Sequence, residues 1–379
     1  MPTYGAVECG LAALAPDPPE HLPMLEESAD ALLAKHGGPG RVRAHRQTTP
    51  GFDRAIWREM AEAGWLGVLV PESQGGLGLG HLELCVLAER LGRALTPEPY
   101  VSASVLATTV VAMADNALLR DSLLPQVLAG DLIPALAWQP DATDDVSLDS
   151  SNNRLNGRKT LVHAVGGADG FVVSAHTPEG LALYWVPRSA EGLLIETDLL
   201  VDGSFAGRLT FAETPAGDSL FKNSGAAGGA LDRAVDRARL AASAELLGVM
   251  KQAFDITRGY LVDRVQFGKP IASFQTVQHR LADLFIQHRL ACASVLEAIR
   301  TMDSDADDRT AAAAVSAAKA RCSDAGLKVT REAIQLHGAI GYTDEYDIGL
   351  YLKRALVLSA WLGNAKYHRR RFAQLNPAV

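Results

Sequence analysis

Arg264, Phe267 and Gln275 bring a cation, an aromatic ring and a carboxamide into one stretch of twelve residues, Arg264-Val265-Gln266-Phe267-Gly268-Lys269-Pro270-Ile271-Ala272-Ser273-Phe274-Gln275. Gly268-Lys269-Pro270 stops one helix, and Ser273 stands where the N-cap of the next is expected. Helix punctuation accounts for Gly268, Pro270 and Ser273 without a ligand. It does not account for Arg264, Phe267 and Gln275 together, and such a set can grip a phosphate and a flat ring.

The rest of the chain offers less. The Gly-rich stretch VPESQGGLGLGH at 70–81 has no Gly-Lys-Ser/Thr after it and no βαβ rhythm around it, so it reads as a helix-to-helix connection rather than an anion cradle. The ten histidines show no HExxH or other tight ligand spacing, and no metal site is expected. Cys9, Cys85, Cys292 and Cys322 are scattered without a CxxC, which suits a reducing compartment. Lys366, Arg369, Arg370 and Arg371 can meet phosphates, but a solvated helix end favoured by the helix dipole explains them as well. With 44 acidic and 36 basic residues, a net charge of −8 leaves no electrostatic footprint for nucleic acid. Nothing at the N-terminus reads as a signal peptide and no apolar run reaches membrane-spanning length, so a soluble, cytoplasmic protein is expected.

The elements that must position these residues fall into three segments. Residues 1–130 are helical, with apolar residues at i, i+3, i+4 and i+7 in LPMLEESADALLAKHG, FDRAIWREMAEAGWLG and HLELCVLAERLGRAL. Residues 131–225 change to short β-like runs, with Asn156-Gly157 as a hairpin signal, and predict a compact antiparallel barrel or sandwich. Residues 226–379 predict four long helices, 231–265, 274–302, 308–337 and 346–372, each roughly 40–50 Å long and obliged to bury a stripe in a bundle. The fold class is α+β and mostly α.

The stretch from Arg264 to Gln275 resembles the R-x-x-F-G-x-P-[IL]-x-x-F-Q signature of the acyl-CoA dehydrogenase family. LNGRKTLVHAVGGADGFVVSA, QLHGAIGYTDEY and GWLGVLVPESQGGLG resemble further segments of that family in order and spacing, so the resemblance spans essentially the whole chain. It implies a helical N-terminal domain, a β-barrel middle domain and a C-terminal four-helix bundle in a dimer of dimers. It also implies FAD at a subunit interface, an acyl-CoA substrate losing hydrogens from Cα and Cβ, and an electron-transferring flavoprotein as acceptor. Carried over by position, Arg264, Phe267 and Gln275 contact the pyrophosphate and adenine half of an FAD seated mainly in a neighbouring subunit, and Gln335 and Gly338 meet the same half.

The chain departs from the family pattern where the chemistry would be. Desaturation needs a carboxylate to take the Cα proton. The resemblance places that base at Leu362 or, in a second branch, at Ala238 beside Arg239, and neither side chain accepts a proton. Where the family carries an aromatic and a hydroxyl against the flavin, Lys159-Thr160-Leu161-Val162-His163 stands, and the loop expected to approach the cofactor carries Asp141, Asp144 and Asp145, which would repel a pyrophosphate. Glu245, two helical turns beyond Ala238, is the remaining candidate base, although a packed helix residue explains it as well; Asp344 and Glu345 read as capping or surface groups.

Three readings follow. The first is the non-catalytic subunit of a heteromeric FAD-dependent acyl-CoA dehydrogenase, as in relatives acting on steroid side chains or other bulky acyl-CoAs, completing a homologous partner's FAD site. The second is a homo-oligomeric dehydrogenase using Glu245. The third is a flavin-free acyl-CoA-binding relative.

Overall fold

The structure, a computed structural model, describes residues 10–142 and 144–376. Seven helices open the chain: α1 (Leu11–Leu14), α2 (Leu22–His36), α3 (Pro39–His45), α4 (Arg54–Glu62), α5 (His81–Arg93), α6 (Thr108–Met113) and α7 (Ala117–Leu128). Strands β1 (Pro134–Ala137), β2 (Ser147–Asp149), β3 (Arg154–His163), β4 (Gly170–Thr177), β5 (Gly180–Pro187), β6 (Leu193–Leu199) and β7 (Phe205–Pro215) follow. The chain then runs through α8 (Ser224–Asp263), a small hairpin of β8 (Val265–Gln266) and β9 (Lys269–Pro270), α9 (Gln275–Met302), α10 (Asp308–His337), α11 (Ile348–Ala360) and α12 (Ala365–Leu375). Among the described residues two compact units result, one of residues 10–41, 80–96 and 239–376, the other of residues from 42–79 and 97–238, so the opening helical segment contributes to both.

The first unit is a helical bundle. Small residues set its close crossings: a Cβ at Gly248 of α8 would lie 1.8 Å from the Glu89 carbonyl oxygen of α5, and one at Gly92 of α5 would lie 2.1 Å from the Glu245 carbonyl oxygen. Helices α9 and α10 run antiparallel in a register fixed by Arg280 with Glu332, Asp283 with Lys328 at 2.6 Å, and Gln287 with Arg321 at 2.9 Å. Continued about one and a half turns, that register brings the start of α9 level with the end of α10.

The second unit holds a seven-stranded sheet in the order β1-β4-β2-β3-β7-β6, with β5 on β4. Phe171, Leu209, Phe211 and Val162 fill its core. A buried π-helical stretch, Tyr100–Ala107, enters α6.

Four local expectations are corrected. The sheet is mixed, because β1 and β2 pair parallel with β4. Asn156-Gly157 makes no hairpin; it lies inside β3 at a register shift, and Gly157 (φ +122°) is required because a Cβ there would come 2.4 Å from the Asp145 carbonyl oxygen. The last predicted helix breaks at 361–364, where Leu362 (φ +61°) and Gly363 (φ +107°) turn the chain and Asn364 caps α12 through the Tyr367 amide at 3.0 Å. Ser273 does not cap α9: its hydroxyl donates to the Pro270 carbonyl at 2.7 Å, and Phe274 occupies the N-cap.

Candidate functional site

One end of the bundle gathers the residues singled out by type and spacing. Arg264 follows α8 directly, and its carbonyl accepts the Ile271 amide at 2.9 Å, which closes the β8–β9 hairpin. Phe267 stands at the hairpin tip in the left-handed region (φ +55°) and is 91% exposed, a large apolar ring held in water. Phe274 supports it edge-on at 6.2 Å and carries the Lys269 ammonium 4.4 Å above its own ring. Arg264, Gln275 and Gln335 are exposed, and Arg264 makes no ion pair among the described residues. The antiparallel register of α9 and α10 places Gln275 level with Gln335 and Gly338. Gly338 ends α10 at φ +65°, a Cβ there would meet nothing within 4 Å, and the backbone stands open to a ligand. A guanidinium, two carboxamides, an open backbone and a projecting ring suit an anionic ligand with a flat ring presented from outside the chain.

Beneath these residues lies a feature that spacing did not reveal. The His337 ring stacks on Tyr260 of α8 at 4.5 Å and meets Tyr346 in a tilted contact at 4.9 Å, and its Nδ1–H donates to the Ala333 carbonyl at 2.7 Å. This stack ties the end of α8 to the end of α10. Burial lowers the His337 pKa, which favours the neutral ring.

The positions where a base was expected are closed and apolar. Ala238 is fully buried, and Leu362 is buried in the turn between α11 and α12. That turn is gripped by its backbone. The Leu362 carbonyl accepts from Arg239 Nε and His368 Nε2, each at 3.1 Å, while the Lys319 ammonium donates to the carbonyls of Leu358 (2.7 Å) and Gly363 (3.3 Å) and to Ser323 Oγ (3.2 Å). Lys319 is fully buried, and desolvation, with help from Arg239, brings its pKa down to about 7; desolvation takes His368 down to about 3.

Glu245 is buried and committed: its Oε1 takes both Nε and Nη2 of Arg354 at 2.6 Å. Asp344 lies 3.8 Å from Lys353 and Glu345 is exposed, whereas Asp347 forms the N-cap of α11. In the basic C-terminal cluster, Arg369 pairs with Asp324 and Arg371 binds Ser316 Oγ at 2.9 Å, which leaves Lys366 and Arg370 on the surface.

In the second unit, Leu161 sits at φ +52° on a bulge of β3 and is 56% exposed, an aliphatic side chain where stacking would need an aromatic. The expected repulsion from the aspartates is muted. Asp145 accepts from the buried Lys159 ammonium and from His176 Nε2 at 2.9 Å, and Asp144 lies 3.7 Å from Arg158. Burial alone would raise the Asp145 pKa, but Lys159 overrides it and holds the carboxyl below its ordinary range.

Comparison with known proteins agrees along the chain. The family model for the acyl-CoA dehydrogenase N-terminal domain matches residues 19–131, and that for the C-terminal domain matches residues 229–375. Acyl-CoA dehydrogenase IpdE2 of Mycolicibacterium smegmatis is 32% identical over 355 residues, covering 93% of this chain and 97% of its own. The protein of the same name from Mycobacterium tuberculosis is 30% identical over 339 residues, covering 89% and 92%. Among solved structures, a variant of the Tcur3481-Tcur3483 steroid ACAD superposes with a TM-score of 0.85 at 33% identity, covering 94% of this chain and 98% of its own. The ChsE4-ChsE5 complex of Mycobacterium tuberculosis gives 0.86 at 26% identity, covering 96% and 99%. Two matched domains and relatives above 30% identity over nearly the full length establish that the chain belongs to the acyl-CoA dehydrogenase family.

Proposed function

We propose that this chain is the non-catalytic subunit of a heteromeric, FAD-dependent acyl-CoA dehydrogenase, and that its bundle end completes an FAD site seated mainly in a homologous partner. The observation that carries this reading is the contrast between two sets of residues. Arg264, Phe267, Gln275, Gln335 and Gly338 are exposed and free of obstruction, whereas Ala238 and Leu362 put buried alkyl groups where a base would stand. Two solved relatives that bear the names of two chains, Tcur3481-Tcur3483 and ChsE4-ChsE5, support a paired assembly.

In this assembly Arg264 would neutralise the pyrophosphate, Phe267 would cover the adenine, and Gln275 and Gln335 would hydrogen-bond the same half. Gly338 lets backbone approach it without a side chain between them. When bound, FAD supplies the acceptor for the hydride that leaves Cβ of an acyl-CoA thioester. The proton from Cα must go to a carboxylate of the partner, because this chain's Glu245 is neutralised by Arg354. The Tcur3481-Tcur3483 relative makes a steroid-derived acyl-CoA the first substrate class to assay, with an electron-transferring flavoprotein as acceptor.

The test is the visible spectrum of the chain purified alone and after co-expression with a homologous subunit. The reading expects a colourless lone chain and a flavin band in the pair. A stoichiometric flavin band in the lone chain refutes it.

A further inference from the structure

The two halves of the bundle end are borne by different helices. Arg264 and the β8–β9 hairpin continue α8, whereas Gln335 and Gly338 belong to the end of α10. Helix ends fray, because their last carbonyls have no partner within the helix. A ligand gripped from both halves therefore needs the two ends held at one spacing, and neither helix fixes that spacing by itself.

Three rings meet between the ends. Tyr260 lies in the last turn of α8, His337 is the last residue of α10, and Tyr346 stands just before α11. Their centroids are 4.5 Å apart for Tyr260 and His337, 4.9 Å for His337 and Tyr346, and 6.2 Å for Tyr260 and Tyr346, a closed triangle. Two of these rings are a short step from the grip. The Tyr260 carbonyl accepts the Arg264 amide at 2.9 Å, and the Arg264 carbonyl in turn accepts the Ile271 amide at 2.9 Å, so Tyr260 anchors the hairpin. His337 precedes Gly338 directly, and the turn that follows wraps it: a Cβ at Gly341 would lie 3.1 Å from the His337 Cβ and 2.8 Å from the Ile334 carbonyl oxygen.

His337 is 3% exposed, and its Nδ1–H goes to the Ala333 carbonyl of its own helix. Its Nε2 is buried with no hydrogen-bond partner among the described residues. The polar atoms of the ring therefore do not reach α8, and its contact with that helix is made by the stacked face. We propose that His337 and Tyr260 are positioning residues: their stack sets the spacing between the Arg264 hairpin and the Gln335–Gly338 terminus, and through it how firmly the paired assembly retains FAD. This rests on the function proposed above. The two rings act through Arg264 and Gly338, not by contact with the cofactor.

Hydrogen exchange of the lone full-length chain and FAD retention by the co-expressed pair, read by equilibrium dialysis, test this together. In Tyr260→Ala the Arg264 and Ile271 amides should exchange about tenfold faster, the scale of one lost ring pair with its buried area, while amides in the middle of α10 keep their native rates. The same variant should weaken FAD retention in the pair about tenfold. Tyr260→Phe keeps the ring and should restore both. His337→Ala should match Tyr260→Ala in retention, and the double variant should lose no more than either alone, because both remove one contact. Should His337→Ala fail to fold, the two Tyr260 variants decide. Native exchange rates in Tyr260→Ala, undiminished retention despite faster exchange, or losses that multiply in the double variant overturn the proposal. Failure of the underlying reading is distinguishable: the native pair then holds no flavin, or Phe267→Ala retains it as well as the native pair does, and the proposal falls with it.

Discussion

Replacing Glu245 with Gln separates a structural ion pair from a catalytic base. The Glu245 side chain is 6% exposed and the Arg354 side chain 22%, and the two meet through a pair of contacts at 2.6 Å. Removing one partner of a buried pair costs about 3–5 kcal/mol where the remaining charge loses its main counter-ion. Partial exposure of Arg354 and the acceptor oxygen that Gln retains bring the expected loss to about 2–4 kcal/mol. In a cooperative unit of roughly 200 residues this lowers Tm by about 5–12 °C. Arg354→Met should lower Tm as well, and the double variant should lose less than the sum of the two, since the pair is then removed whole. The assay is thermal unfolding of the four proteins beside turnover of the flavin-loaded pair at a temperature where all remain folded. Turnover should stay within about threefold of the native pair. A Glu245→Gln variant that melts like the native chain while its pair loses a hundredfold or more in turnover, the loss typical of a missing general base, refutes the assignment.

Phe267→Ala should leave the Tm of the lone chain within about 1 °C, since the ring is exposed, yet weaken FAD retention in the co-expressed pair about tenfold or more, read by equilibrium dialysis. Gly248→Ala should lower Tm by several degrees or abolish soluble expression, because the new methyl would lie 1.8 Å from the Glu89 carbonyl oxygen and neither helix can yield cheaply. Lys319→Met should change how stability depends on pH. A folded-state pKa of about 7 against 10.5 means that the native protein gains stability from this residue as the pH rises from 7 towards 10.5, about 2 kcal/mol between pH 7 and 9. Urea midpoints at those two pH values should show that gain in the native chain and lack it in the variant.

The bundle end was legible in the sequence because its residues cluster within one helix junction and a helix terminus, where Gly268, Pro270 and Gly338 interrupt an otherwise steady periodicity. The role of Glu245 was not legible. Arg354 lies 109 residues from Glu245, so no local pattern announces the pairing. The break at 361–364 was missed for a related reason: Trp361 and Leu362 continue the apolar rhythm, and the donors that bend the backbone there belong to α8, α10 and α12. The mixed sheet was hidden because β1 and β4 pair across the intervening β2 and β3, whereas alternation within each strand is the same for either direction. Asn156-Gly157 misled because its glycine is required by a neighbouring chain passing close by, not by a reversal of its own.

The turn at Leu362 bears on how such a chain can persist. Three helices recognise that turn through its carbonyl oxygens, which every amino acid carries alike, and none of the hydrogen bonds that hold it reaches the side chain of residue 362. An acidic side chain or a leucine at residue 362 would therefore leave the same carbonyls in place for these donors. Under the proposed function, a gene copy could exchange its reactive group in one step and still yield a folded subunit able to serve a homologous partner.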